Sequence, residues 1–176
     1  METDLDLIRQ LGETRERENM DFRAYLKGHD MDCEELDSIV HQIAGEVTEQ
    51  IDCSQCMNCC IELRPEPTEE DQQTIAGRLV ITREQLDRDY LQPNKDEDSG
   101  QPHCSFLKEN RCSLEEDRPE DCRDYPFLMM EGFRWRLLGV VGNYRVCPIV
   151  FNTYELLKER LWRRKPRRRR RRRRRR

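Results

Sequence analysis

The sequence predicts a mainly α-helical fold with long cysteine-bearing loops and room for a small β-hairpin, a small domain stabilised by metal. Three observations lead there. Apolar residues recur at three- and four-residue steps in several separate stretches. Capping signals precede some of those stretches. The chain has nine cysteines, against only 35% hydrophobic and 39% charged residues. That composition supports a modest apolar core, and metal bound only by the folded state adds to folding free energy.

Residues 1–30 read as a polar, partly helical N-terminal extension. Asp4 to Leu11 can form a helix through Leu7, Ile8 and Leu11, and Phe22, Tyr25 and Leu26 one turn of another, ended by Gly28. Residues 31–162 form the cysteine-cluster domain. Its strongest helix spans 32–51, where Leu36, Ile39, Val40, Ile43, Ala44, Val47 and Ile51 draw one apolar stripe. Asp32 with Glu35 predicts a capping arrangement. Pro65-Glu66-Pro67 is an extended break. Thr68 with Asp71 then caps a helix carrying Ile75, Ala76, Leu79 and Val80, and Thr82 with Gln85 caps one carrying Leu86, Tyr90 and Leu91. Residues 92–102 are a polar loop. Phe133, Trp135 and Leu137 alternate with Arg134 and Arg136, predicting a short exposed strand that Val140 and Val141 extend. Pro148 starts a last helix with Phe151, Tyr154, Leu157 and Leu161 on one face. The chain shows no internal repeat.

Four cysteines crowd into Cys53-Ser54-Gln55-Cys56-Met57-Asn58-Cys59-Cys60, and four more follow at Cys104, Cys112, Cys122 and Cys147. A tight turn across C-x-x-C brings two sulfurs onto one ion, with Zn–S distances near about 2.3 Å. C-x-x-C-x-x-C also suits a corner set of an iron–sulfur cubane with a distant fourth thiolate. Adjacent Cys59 and Cys60 fit one ion less easily, so one of them serves a second site or is simply buried. One site with four structural cysteines and two four-cysteine sites both fit the spacing. Cys33 stands at the start of the 32–51 stripe and reads as a buried small residue. His103, beside Cys104, is a weak ligand candidate, and His29 and His41 read as surface residues.

The pattern resembles the YkgJ-type CxxCxxCC cysteine cluster family, a zinc- or iron-chelating domain. The resemblance rests on Cys53, Cys56, Cys59 and Cys60, on Cys104-Ser-Phe106-Leu107, on Cys112, on Arg118-Pro119-x-x-Cys122-Arg123-x-Tyr125-Pro126, and on Cys147-Pro148. It implies metal chelation by all eight cysteines and leaves zinc against iron open, a 4Fe-4S cluster included. Similar modules occur in larger flagellin lysine methylating enzymes, but no methyl-donor site is recognisable here. Arg123 could donate near thiolate sulfur, or Arg118 and Arg123 could pair with neighbouring acids while Pro119 and Pro126 shape the loop.

Residues 163–176 hold thirteen Lys/Arg and no acid; without them nineteen basic residues face 36 acidic ones, a net charge of −17. Such a body is a poor nucleic-acid surface, whereas the tail, expected to be disordered, suits nonspecific contact with RNA, DNA or another polyanion through Arg167–Arg176. It could equally fold over the acidic body or be an added run. Trp162 reads as a membrane-surface anchor or as the cap of the last helix. The first residues lack a secretory pattern, and no stretch approaches the ~18 apolar residues of a transmembrane helix. A cytoplasmic location follows, where nine cysteines point to metal before disulfides. The sequence has no glycine-rich phosphate loop and no H-E-x-x-H. A metal-binding protein without catalytic residues is the first reading. An iron–sulfur redox or accessory protein for another enzyme is the alternative, as is a nucleic-acid-associated zinc protein using the tail.

Overall fold

The computed structural model describes residues 1–64, 66–92, 104–109 and 111–163. The elements run α1 (Leu5–Thr14), α2 (Glu16–Lys27), α3 (Cys33–Thr48), α4 (Cys53–Cys56), α5 (Asn58–Glu62), α6 (Glu69–Leu79) and α7 (Arg83–Leu86), which continues as a π-helical turn over Asp87–Leu91. Then come β1 (Leu107–Lys108), β2 (Arg111–Cys112), a 3-10 turn at Glu115–Asp117, α8 (Glu120–Asp124), α9 (Phe133–Asn143) and α10 (Pro148–Leu157). The fold is mainly α-helical, and a small hairpin pairs Leu107 with Cys112 and Lys108 with Arg111 in antiparallel register.

Two apolar cores form. The larger joins Ile8 of α1, Phe22 and Leu26 of α2, the stripe of α3, and one face each of α9 and α10. Burial of these side chains supplies most of the drive for packing five helices together. Lys158, fully buried just past α10, is held by Asn19 Oδ1 at 2.5 Å and by the carboxylates of Glu155 at 2.6 Å and Glu18 at 3.3 Å. A buried ammonium needs such partners, and these tie α2 to the last helix. The smaller core gathers Ile75, Ala76, Leu86, Cys104, Phe106 and Leu114, with Tyr90 stacked on Phe106 at 5.4 Å.

The Thr68/Asp71 and Thr82/Gln85 capping boxes both form. Asp71 also accepts from the Glu120 amide at 3.2 Å, joining α6 to α8.

Three sequence expectations about elements fail. Asp32 is the N-cap of α3, but its side chain makes no capping bond. Val80 leaves the α6 stripe, takes a left-handed conformation as C-cap and is 89% exposed. The strand expected at 133–141 is helix α9. Its apolar residues Phe133, Leu137 and Val140 are buried at helical spacing. Its first amides are capped from another helix: Asp37 of α3 accepts from Gly132 at 2.6 Å and Phe133 at 2.9 Å. Trp162 stacks on Phe22 at 5.4 Å and Tyr25 at 6.5 Å, packing the end of the last helix against α2.

Candidate metal centre

The cysteine run lies at the seam between the two cores. α3 feeds α4, and Met57 then adopts a left-handed backbone (φ 50) between α4 and α5. The Met57 amide bonds the Cys53 carbonyl at 3.3 Å and the Met57 carbonyl accepts from Cys60 at 2.9 Å, so the run doubles back on itself. Two anchors fix its sides. Buried Asn58 donates Nδ2 to the Val146 carbonyl at 2.7 Å, beside Cys147. The Cys60 carbonyl accepts from the Cys104 amide at 3.0 Å, beside the hairpin.

The other cysteines arrive on separate elements: Cys104 before β1, Cys112 in β2, Cys122 in α8, and Cys147 at the N-cap of α10. Cys147 belongs to the larger core, and Cys104, Cys60 and Cys112 pack in or against the smaller one. The eight are electrostatically linked. Cys53 feels Cys59 and Cys56; Cys60 faces Cys104 and Cys59; Cys122 feels Cys104, Cys59 and Cys112; Cys147 feels Cys53 and Cys59. Cys59 stands at the centre of this web. Cys33 opens α3, sixteen residues long, and so sits roughly 22 Å from the end that feeds the cluster.

Charge is costly here without a cation. Burial pushes the Cys122 thiol up to about 12, reinforced by Cys104 and Cys59. Burial also pushes Cys147 up to about 12, although the Val150 and Ile149 amides at the start of α10 favour its thiolate without a formed capping bond. Burial raises Cys53 too, with Cys59 and Cys56 adding to it and Arg118 opposing it. The Cys60 thiol, directed at Cys104 and Cys59, keeps its proton and favours the thiolate in both neighbours. A coordinated cation reverses this balance, because it deprotonates thiols outright.

Tyr125 closes one side. Its hydroxyl is buried against the Cys147 sulfur and has no well-formed hydrogen bond. Burial foremost, then Cys147 and Cys59, pushes its ionisation upward. A poorly satisfied buried donor facing sulfurs fits a site whose thiolates become acceptors. Among the described residues, no three His, Cys, Asp or Glu side chains already stand arranged around one ion. The donors thus fit a thiophilic metal in kind and neighbourhood, and their final geometry would form on binding. Cys53 is exposed while Cys104 and Cys147 are buried, which gives an ion an entry side.

The Cys53–Cys60 run decides the family. A family model described as "CxxCxxCC: Putative zinc- or iron-chelating domain" matches residues 52–139, half of the chain. The chain belongs to that family. No curated protein and no solved structure matches it. The CxxCxxCC match takes in seven of the eight clustered cysteines and ends before Cys147, which the fold brings to the others.

The remaining candidates divide. Arg118 Nε donates to the Glu115 carbonyl at 3.0 Å, and its charge favours the Cys53 thiolate. Arg123 donates to the Arg118 carbonyl at 2.8 Å and shapes the loop. His29 Nδ1 accepts from the Met31 amide at 3.1 Å, and His41 contacts the Met130 carbonyl. His103 and Arg167–Arg176 lie outside the described residues. Among the described residues, no helix is long and apolar enough to cross a membrane. Sequence reasoning missed Tyr125 as a wall of the site and Asn58 as its anchor; their places in the motifs were visible, but not what they face.

Proposed function

We propose that this protein chelates zinc or iron through Cys53, Cys56, Cys59, Cys60, Cys104, Cys112, Cys122 and Cys147. The mutual electrostatic influence of these thiols, drawn from the 53–60 run, the hairpin, α8 and the start of α10, supports the reading. Thiolates are soft donors that select zinc and iron–sulfur centres, and burial with mutual repulsion disfavours an uncompensated cluster of them. Membership of a family described as zinc- or iron-chelating agrees. Residues 31–162 with the extension 1–30 packed on them are the metal-binding unit, 163–176 are an appended tail, and the reduced cytosol is the compartment that suits so many free thiols.

The test is metal content after anaerobic purification, with a visible spectrum before and after dithionite. Zinc is colourless and an iron–sulfur centre absorbs, so one measurement separates them. Cys59→Ser is expected to lose most of the metal and Cys33→Ser none. Equal retention in both variants, or a metal-free native protein, overturns the proposal.

A further inference from the structure

Cys60 and Cys104 meet through both backbone and side chain. The Cys104 amide donates to the Cys60 carbonyl at 3.0 Å. With standard bond lengths, that contact holds the two Cα atoms no more than about 6.9 Å apart. Disulfides span Cα separations of roughly 4.4–6.8 Å, so the backbones already stand within reach of a bond. The side chains turn towards each other as well, because the Cys60 thiol is directed at the Cys104 sulfur. Both residues belong to the smaller core, Cys104 inside it and Cys60 packed against it. Both thiols are free.

Neighbouring pairs meet only one of these conditions. Cys60 is also directed at Cys59, but consecutive Cα atoms lie about 3.8 Å apart, short of the span a disulfide takes. Cys53 and Cys56 share the single turn of α4, yet Cys56 acts on Cys53 as a charge. Cys147 packs in the larger core, away from this pair.

We propose that a hydroperoxide closes a Cys60–Cys104 disulfide in the metal-free protein, and that bound metal prevents it. One sulfur of the pair takes the terminal hydroxyl of the peroxide. The O–O bond breaks, and with hydrogen peroxide the thiol proton leaves on the second oxygen as water. The product is a sulfenic acid, which condenses with a neighbouring thiol. The other sulfur attacks it: the S–S bond forms, the S–O bond breaks, and the hydroxyl leaves with the second thiol proton as another water. The two sulfurs give up two electrons and the peroxide takes both. Half-buried Cys60 gives the oxidant its way in, and buried Cys104 stands behind it. A reducing compartment keeps the pair open until the oxidant arrives. The bond itself needs no metal. Its prevention rests on chelation by the eight cysteines proposed above, since a sulfur held by an ion is not free to reach its partner. Once closed, the bond withdraws two of those eight donors and ties α5 to the segment before β1 across the smaller core.

Linkage mapping tests both halves. Full-length protein is reduced, stripped with a chelator, and treated with one equivalent of hydrogen peroxide, with and without zinc loaded first. Remaining thiols are alkylated, and cross-linked peptides are sequenced by mass spectrometry. The Cys60–Cys104 link is expected to exceed every other pair several-fold in the stripped protein, and to fall roughly tenfold or more when zinc is bound. The oxidised protein should lose at least half of its zinc uptake, and dithiothreitol should restore it. Cys59→Ser should lose metal yet keep the link, whereas Cys60→Ser should lose the link. Four results overturn the proposal: a Cys53–Cys56 link or scrambled pairs in equal yield, a wild-type yield of links to Cys104 in Cys60→Ser, undiminished zinc uptake after oxidation, or equal yield in a sample shown to carry zinc. Reduced protein that binds neither zinc nor iron would overturn chelation and the protection with it, while the link is read separately in the same digest.

Discussion

Tyr125 presents opposite demands in the metal-free and metal-bound protein. Without metal its buried hydroxyl faces only the Cys147 thiol, a weak acceptor out of good hydrogen-bond geometry, and a poorly satisfied buried donor costs up to about 1–3 kcal/mol. With metal, the adjacent Cys147 sulfur becomes a thiolate able to accept. Tyr125→Phe is therefore expected to leave the metal-free protein as stable or about 1 kcal/mol more stable, yet to weaken metal binding by roughly 10–100-fold. Competition with a chelator and thermal unfolding of the metal-free form read the two effects separately. A variant weaker in both would make Tyr125 a packing residue only. The sequence marks Tyr125 inside the RP-x-x-CR-x-YP segment, but the setting of its hydroxyl depends on Cys147, brought near by the fold. Cys33 opens α3 as its place before the apolar stripe predicts, but it is only half-buried and stays outside the core cluster, so the expectation that it is a buried small residue fails. Lys158 was not legible, because its burial depends on Asn19, 139 positions away.

At the level of elements, the decisive turn is one residue long. Met57 holds φ 50 between α4 and α5, a region that costs an L-residue roughly 1–2 kcal/mol and a β-branched one more. Met57→Gly should relieve that cost and Met57→Ile should raise it, with loss of metal in the isoleucine variant because the turn joining Cys56 to Cys59 would open. Denaturation midpoints and metal content of the two variants check this; an isoleucine variant that keeps both would show the turn to be incidental. α9 was misread for a related reason. Over five residues the alternation Phe133-Arg134-Trp135-Arg136-Leu137 imitates a strand, and only Phe133, Leu137 and Val140 together betray the helical step. Arg136 hides the pattern further by donating to the Phe127, Met130 and Glu131 carbonyls of the preceding turn. By contrast, α3, α6 and α10 were legible because their apolar steps run through several turns or begin at a cap or proline.

On the scale of the whole molecule, the two cores are unequal. Five helices share the larger, whereas among the described residues the smaller buries Ile75, Ala76, Leu86, Phe106 and Leu114 besides Cys104, a small core of the kind that a staple stabilises. The proposed metal is that staple, since the cysteines reach into both cores. Its grip is proton-linked. Cys122 and Cys147, pushed up to about 12, are protonated at neutral pH when metal is absent, and each must release its proton to ligate. Affinity therefore rises with pH, by about tenfold per unit for each such thiol, and acid acts in the same direction as a chelator. Hydrogen exchange on the reduced protein should then show two behaviours when metal is removed by either route. Amides of α6, β1 and β2 lose protection, while those of α3 and α10, in the larger core, keep theirs. Uniform loss across both cores would mean that the fold is one cooperative unit, and no loss would mean that the thiols hold nothing that the smaller core needs.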